Sequence, residues 1–368
     1  MKKKNILKTS LKIIGIALGI LILALLAYIV YLYASYYRIE DNQELVVEAP
    51  VDDTTTGAAA VLATDTEYSA VTYNIGFGAY LPDYSFFMDG GTSSWAESPK
   101  TVQYAINGAG ELVKSLDPDF ALIQEIDLDA TRSYHTDEYE MLRNILPEYT
   151  TVFAQNYDSA FLFYPFTQPH GSSRAGLGLF SKYPVSSALR RSFPISTSFS
   201  KFFDLDRCYS VSRIPVDNGK ELVIFNLHMS AYGNSDEIRK GQIEMLCNDM
   251  AKEYEAGNYV LCGGDFNHDL KASEEDTESC ESWAFPFPRT ELPEHFAFCL
   301  DLLSSEEQAA LWNSARNADM EYVPGVTYTV TLDGFIISDN IECLSYENVS
   351  TGYSYSDHDP VKVEFVLK

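Results

Sequence analysis

No charged residue occurs between Ile13 and Tyr37. A run of that length has few places to go: as a helix it spans roughly 37 Å, enough to cross a hydrocarbon core of about 30 Å. Secretory signals have a shorter apolar stretch, roughly 7–15 residues, and a small-x-small cleavage site. Leu25-Leu26-Ala27 is a poor version of that site. Tyr28, Tyr31, Tyr33, Tyr36 and Tyr37 crowd the far end in the manner of an interfacial aromatic belt. Residues 13–37 therefore read as an uncleaved transmembrane anchor. Residues 1–12 carry five lysines and no acid, so they are expected to stay cytoplasmic. The remainder then lies outside a cell membrane that the chain crosses once.

That remainder is strongly acidic. Of 26 basic residues five precede the anchor, leaving 21 against 53 acidic ones, a net charge of −32 over residues 38–368. Such a surface is soluble and repels polyanions, which disfavours routine nucleic-acid binding without excluding a local basic groove. The six cysteines show neither C-x-x-C pairs nor zinc spacing, so a metal–thiolate centre is not expected. Cys280 and Cys299 flank a Pro-rich stretch, and an oxidising compartment would permit a disulfide between them without requiring one.

Residues 38–67 are acidic and rich in Thr and Ala with no sustained period, and are expected to be a flexible tether. Residues 68–368 show no second break in composition and no repeat, which favours one large domain. Within it, short apolar runs read as strands: 69–73, 120–124, 176–180, 185–191, 209–216, 222–227, 259–262, 326–331, 334–337, 341–346 and 361–366. Ser98-Pro99 opens a helix to about residue 115, and residues 234–255 form a second. Many strands with few helices imply a layered α/β domain with its helices outside.

The ends of these runs carry the chemistry. A-V-T-Y ends in Asn74, and F-A-L-I-Q ends in Glu125. L-V-I-F-N-L ends in His228, and Y-V-L-C-G-G ends in Asp265, with Asn267 two residues on. Asp333 precedes G-F-I-I, and S-D-H-D-P-V places Asp357, His358 and Asp359 before the last strand. Any one Asn or Asp among them is an ordinary turn residue. Together they repeat a pattern in which apolar strands deliver a polar group at one end, the way sheets assemble a site at an edge.

The ordered set Y-N-I-G-F-G, I-Q-E-I-D, G-L-G-L-F-S-K-Y-P, F-N-L-H-M-S, G-G-D-F-N-H-D, L-D-G-F-I-I-S and Y-S-D-H-D-P-V resembles the endonuclease/exonuclease/phosphatase superfamily. That group includes DNase I, abasic-site nucleases, neutral sphingomyelinases and inositol polyphosphate phosphatases. The resemblance implies a four-layer α/β/β/α sandwich, two packed sheets with outer helices, preceded here by the anchor. It implies Mg²⁺, with Mn²⁺ as a substitute, held by Glu125 with Asn74 and Asp357. It also implies His228 and Asn267 on the scissile phosphate, Asp265 handling the water, and Asp333 orienting His358. Oxygen ligands suit Mg²⁺.

The expected activity is hydrolysis of a phosphorylated small molecule or lipid headgroup. A nuclease, or a binding module without turnover, are the competing expectations. Two segments stay open. Arg174, Lys182, Arg190, Arg191, Lys201, Arg207 and Arg213 form either a landing strip for a phosphorylated substrate or an ordinary solvated surface. F-L-F-Y-P-F-T-Q-P-H-G (161–171) is a pocket wall, a lipid-facing loop, or simple packing. His135, His268 and His295 are read as surface or loop residues.

Overall fold

The computed structural model describes residues 2–52, 61–202, 204–230, 236–273 and 284–368. It divides into two units, residues 1–38 and 39–368. The first is a single helix, α1 (Lys2–Ser35), whose segment Ile6–Ser35 has a mean hydropathy of 3.0 and is long and apolar enough to cross a membrane.

The second unit is built on two mixed sheets. One runs through β15 (Ile341–Asn348), β16 (Val361–Leu367), β3 (Glu67–Asn74), β4 (Phe120–Ala130), β6 (Ser173–Ser181), β5 (Thr150–Asp158) and β2 (Val47–Glu48). The other runs through β1 (Gln43–Glu44), β7 (Ser187–Ser192), β8 (Cys208–Pro215), β9 (Glu221–His228), β10 (Tyr259–Asp265), β14 (Asp333–Ser338) and β11 (Phe296–Phe298). Each sheet contains one parallel pair, β3 with β4 and β9 with β10. A short pair, β12 (Ala315–Arg316) and β13 (Thr329–Val330), stands apart.

The core lies between the sheets. Leu122, Leu179, Ile224, Leu227, Leu261 and Phe335 belong to one buried cluster, and each such side chain contributes about 1.5–3 kcal/mol by leaving water. Helices cover the outer faces. α2 (Pro99–Leu116) buries Val102, Ile106 and Val113 with α3 (Glu138–Ile145) in a second cluster that includes Ala121 and Ile123 of β4. α4 (Asp236–Glu255) lies against β10 on the other side, while the short α5 (Ser305–Ala310) follows β11. The central strands β9 and β10 are buried on both faces, so they read as continuous apolar runs rather than alternating ones. β16 instead alternates strictly between buried and half-buried residues.

Polar contacts fix how the sheets meet. Gln124 Nε2 donates to Asn226 Oδ1 at 2.8 Å, and Asn226 Nδ2 donates to Gly178 O at 3.0 Å. This buried bridge links β4, β9 and β6 and satisfies groups that would otherwise cost stability.

One expectation is corrected here. The segment after residue 38 is no free tether where it is described: β1 pairs with β7 and β2 with β5, extending both sheets. Leu45 and Val47 pack on the core, and Leu62 is fully buried. Residues 53–60 of the expected tether, and Cys280 of the expected disulfide, lie outside the described residues. The thiol of Cys299 contacts that of Cys343.

Candidate active site

The residues expected at strand ends converge. Asp265 closes β10, where its backbone is in register with His228 of β9 on one side and Asp333 of β14 on the other. Three chemically active side chains are thereby aligned across neighbouring strands. Gly264 makes this possible. Its φ is +146°, and a Cβ there would sit 2.1 Å from the carbonyl oxygen of Leu227. In the facing sheet Asn74 is in register with Gln124. The β4–β6 pairing then slips between Ile123 and Ile126, and Glu125 sits in that bulge with φ +56°. A bulge re-aims one side chain out of the pleat, and here it turns Glu125 toward β9 and β10.

The segment Ser356–Asp359 bridges the two sheets' ends. Ser356 Oγ donates to Asn74 O at 2.9 Å. Arg316 N donates to Asp357 O at 2.9 Å, and Asp359 N to Ser314 O at 2.7 Å. Asp359 turns away, accepting Trp312 Nε1 at 2.9 Å and Thr351 N at 3.1 Å. It holds the loop and faces no ligand.

Asp265 is the centre of the cluster. Its Oδ2 accepts Asn74 Nδ2 at 3.0 Å and lies 3.6 Å from His228 Nε2 and 3.8 Å from His358 Nε2. Its Oδ1 accepts the Asn267 N–H at 2.8 Å. His358 donates through Nδ1 to Asp333 Oδ2 at 2.7 Å, and Ser314 Oγ donates to the same oxygen at 2.7 Å. Glu125 Oε1 is 3.1 Å from Asn74 Nδ2 and 3.9 Å from His228 Nε2. Asn267 spends one amide hydrogen on Met229 O at 2.9 Å.

The two imidazoles differ in charge. Burial works against charge on His358, but Asp333, Asp265 and Asp357 overcome it and hold its pKa well above the usual value. Burial, then the charges of Arg207, His358 and Arg132, push His228 well below. Burial raises the Asp265 carboxyl to about 7, against the pull of His358. It raises Asp357 to about 6, with Glu125 adding to the effect.

These groups open onto a cavity of about 430 Å³. Glu125, His228, Asp265, Asn267, Asp357 and His358 line it, whereas Asn74 and Asp333 support the site through their hydrogen bonds. Glu125 and Asp357 repel one another, an arrangement that suits a bound divalent cation. Asn74 differs from its expected part. It turns its amide nitrogen to Glu125 and Asp265 and its Oδ1 to the Gly76 N–H at 3.0 Å, a pose that orients carboxylates rather than offering oxygen. Asp265, Asp333 and His358 also have ligand atoms within 4.8 Å of one another. However, His358 Nδ1 is spent on Asp333, which points to an acid–histidine pair rather than a metal centre.

The chain matches the model of the Endonuclease/Exonuclease/phosphatase family over residues 71–302. It belongs to that family. Its members are hydrolases of phosphate esters, generally dependent on a divalent metal. No curated protein sequence matches the chain. Solved structures do. An endonuclease/exonuclease/phosphatase from Beutenbergia cavernae is 15% identical with a TM-score of 0.54, over 82% of this chain and 72% of that one. TDP2 from D. rerio, complexed with a single-strand DNA product, is 14% identical with a TM-score of 0.53, over 82% and 99%. ANGEL2, a 2′,3′-cyclic phosphatase in complex with adenosine-2′,3′-vanadate, is 12% identical with a TM-score of 0.56, over 82% and 96%. At these identities the likeness is one of fold, the expected α/β sandwich.

Several cavity residues escaped the sequence reading: Tyr80, Asp89, Arg132, Asn156 and Arg316. The basic run around Arg207 is mostly structural. Arg174 pairs with Asp129, Lys182 with Asp117, Arg191 with Asp41, and Arg213 with Glu221. Arg190 is fully buried. Of the run, Arg207 alone lines the cavity. The aromatic segment is not core: Phe163, Tyr164 and Phe166 are 50%, 62% and 85% exposed, and His170 forms cavity wall. His268, read as a surface or loop residue, lies in the loop after β10 and is buried, with Nδ1 2.6 Å from Phe266 O.

Proposed function

We propose that this chain is a membrane-anchored, extracytoplasmic, Mg²⁺-dependent phosphoesterase acting by in-line attack of water. A small phosphodiester or lipid headgroup is the favoured substrate, then a phosphomonoester, then DNA. The observation that carries the reading is Asp265 set between a charged imidazole, His358, and a neutral one, His228. Displacement at phosphorus needs neutralisation of the phosphate, donors on its equatorial oxygens, and one group for the water proton.

Each requirement has an occupant. Glu125 and Asp357 hold Mg²⁺, or Mn²⁺ in its place, with Asn74 fixing Glu125. The bound ion supplies Lewis-acid neutralisation of phosphate charge. Asp265, with its pKa near 7, orients the attacking water and takes its proton. His358, kept charged by Asp333, donates Nε2–H to the phosphate, and His228 and Asn267 donate to the remaining oxygens. The apolar α1 supports anchoring. The net charge of −32 over residues 38–368, read from the sequence, supports a substrate other than long polyanions.

The test is a panel on the full-length chain in detergent with Mg²⁺: bis(p-nitrophenyl) phosphate, a sphingomyelin-type lipid, inositol phosphates and plasmid DNA. Hydrolysis of the diester that a chelator abolishes is the expected result. The fold likeness to a protein complexed with a DNA product keeps a nuclease as the second reading. It predicts plasmid cleavage falling steeply with salt. Saturable binding without turnover on every member would instead make the chain a binding module. Protease digestion of intact cells should remove the catalytic domain while sparing the N-terminal lysines.

A further inference from the structure

Arg207 is 7% exposed and lines the cavity, yet its Nε and Nη1 have no hydrogen-bond partner. The other arginines of the cavity are engaged. Arg132 forms two bonds to Asp127, at 2.8 and 3.1 Å, with its guanidinium 3.7 Å from the Phe77 ring centroid. Arg316 donates to the carbonyls of Tyr80, Leu81 and Asn317. Arg207 has no carboxylate partner among the described residues. Asp204 also lines the cavity, but its Oδ1 accepts the Leu205 N–H.

Two more buried side chains of this cavity carry a nitrogen without a partner. Asn156, 1% exposed, leaves Nδ2 unbonded, and His170, 6% exposed, leaves Nδ1 unbonded. All three line the one cavity. Asn156 and Arg207 are brought together by their chain neighbours, since Cys208 Sγ donates to Gln155 O at 3.7 Å. A buried guanidinium with two free N–H groups costs several kcal/mol unless an acceptor meets it, and its fork matches the oxygens of a phosphate.

We propose that Arg207, with Asn156 and His170, forms a subsite for a second, non-scissile phosphate of the substrate. The inference rests on the phosphoesterase reading and narrows it. The preferred substrate carries a phosphate beside the ester that is cut, on a soluble molecule or on a lipid headgroup. Arg207 lies close enough to the reaction centre for its charge to lower the pKa of His228, so one substrate can span both positions. A substrate anchored there would present its ester in a fixed orientation.

The test is binding, not turnover, so it separates from the activity itself. Inorganic phosphate is titrated calorimetrically into the full-length chain in detergent, with Mg²⁺ and again with a chelator. A parallel arm uses short-chain phosphatidic acid. Saturable binding should persist in chelator, where the metal cannot contribute. Arg207→Gln should weaken it at least tenfold, and Arg207→Lys, which keeps the charge but not the fork, by less. An effect confined to phosphatidic acid assigns the lipid source, and one confined to inorganic phosphate the soluble source. Either supports the subsite. Wild-type affinity in Arg207→Gln overturns it, as does the absence of saturable binding in chelator by the wild-type chain, whatever the fold of the variants. Loss of all hydrolysis with this binding intact would overturn the phosphoesterase reading and leave the subsite standing.

Discussion

Asp265 owes its chemistry to its neighbours in the sheet. His228 and Asp333 flank it in register, and His358 reaches it from the last loop. The Asp333–His358 bond fixes which imidazole nitrogen faces the cavity. Asp333→Asn should therefore leave substrate affinity nearly unchanged while lowering kcat on the order of 10²–10⁴-fold, read from steady-state kinetics on an aryl phosphodiester. Gly264 is needed for the backbone. At φ +146°, with a Cβ meeting a carbonyl at 2.1 Å, Gly264→Ala should cost on the order of 3 kcal/mol or more in thermal unfolding of the full-length chain. Most of these residues were legible in the sequence, because an apolar run that stops at a polar residue announces a strand end. The role of Asn74 was not, because an amide that orients ligands and one that offers oxygen look the same in a sequence. Arg207 was legible only as one charge among seven, because nothing along the chain tells which arginine meets a carboxylate.

At the scale of elements, the long central strands and the edge strand β15 were readable, while the shortest edge strands were not. β16 and the run ending in Asp265 follow directly from alternation and continuous burial. β5 was missed because T-T-V-F-A-Q-N-Y-D has neither pattern in full, and α3 because eight residues carry too little period. β1 and β2 were missed for a different reason. A two-residue strand has no signature of its own, and these two exist only because sheet edges offer unpaired groups. Their attachment is testable. Asp41 accepts Ser192 N at 2.8 Å and Arg191 Nε at 3.1 Å. Because Asp41 is part-exposed, Asp41→Ala should cost only about 1 kcal/mol. It should, however, speed hydrogen exchange at Ser192 and expose residues 39–52 to protease. Unchanged exchange at Ser192 would show that this segment is held by other contacts.

For the whole molecule, the buried neutral histidines should weaken the fold in acid, opposed by buried carboxyls such as Asp265 and Asp357 whose raised pKa values act with the other sign. Burial lowers the pKa of His170 to about 3 and of His268 to about 4, against about 6.5 in an unfolded chain. The unfolded state therefore takes up protons first as pH falls. The stability contributed by the neutral rings is complete above about pH 6.5 and is lost progressively as pH falls through 4 and toward 3, at about 1.4 kcal/mol per pH unit per group. Relative to the native chain, His268→Gln should therefore gain in unfolding midpoint as pH falls from about 6.5 toward 4. A difference that stays constant over that range would mean that His268 titrates alike in both states.

The proposed activity stands on one arrangement, a carboxylate set between two unlike imidazoles beside the acidic pair proposed to hold a cation. Its most direct measurement is Mg²⁺-dependent hydrolysis of bis(p-nitrophenyl) phosphate by the full-length chain, compared with its Asp265→Asn and His358→Ala forms. The account predicts turnover by the native chain and a loss on the order of 10²–10⁴-fold in each variant. Native-level turnover in both variants would contradict it.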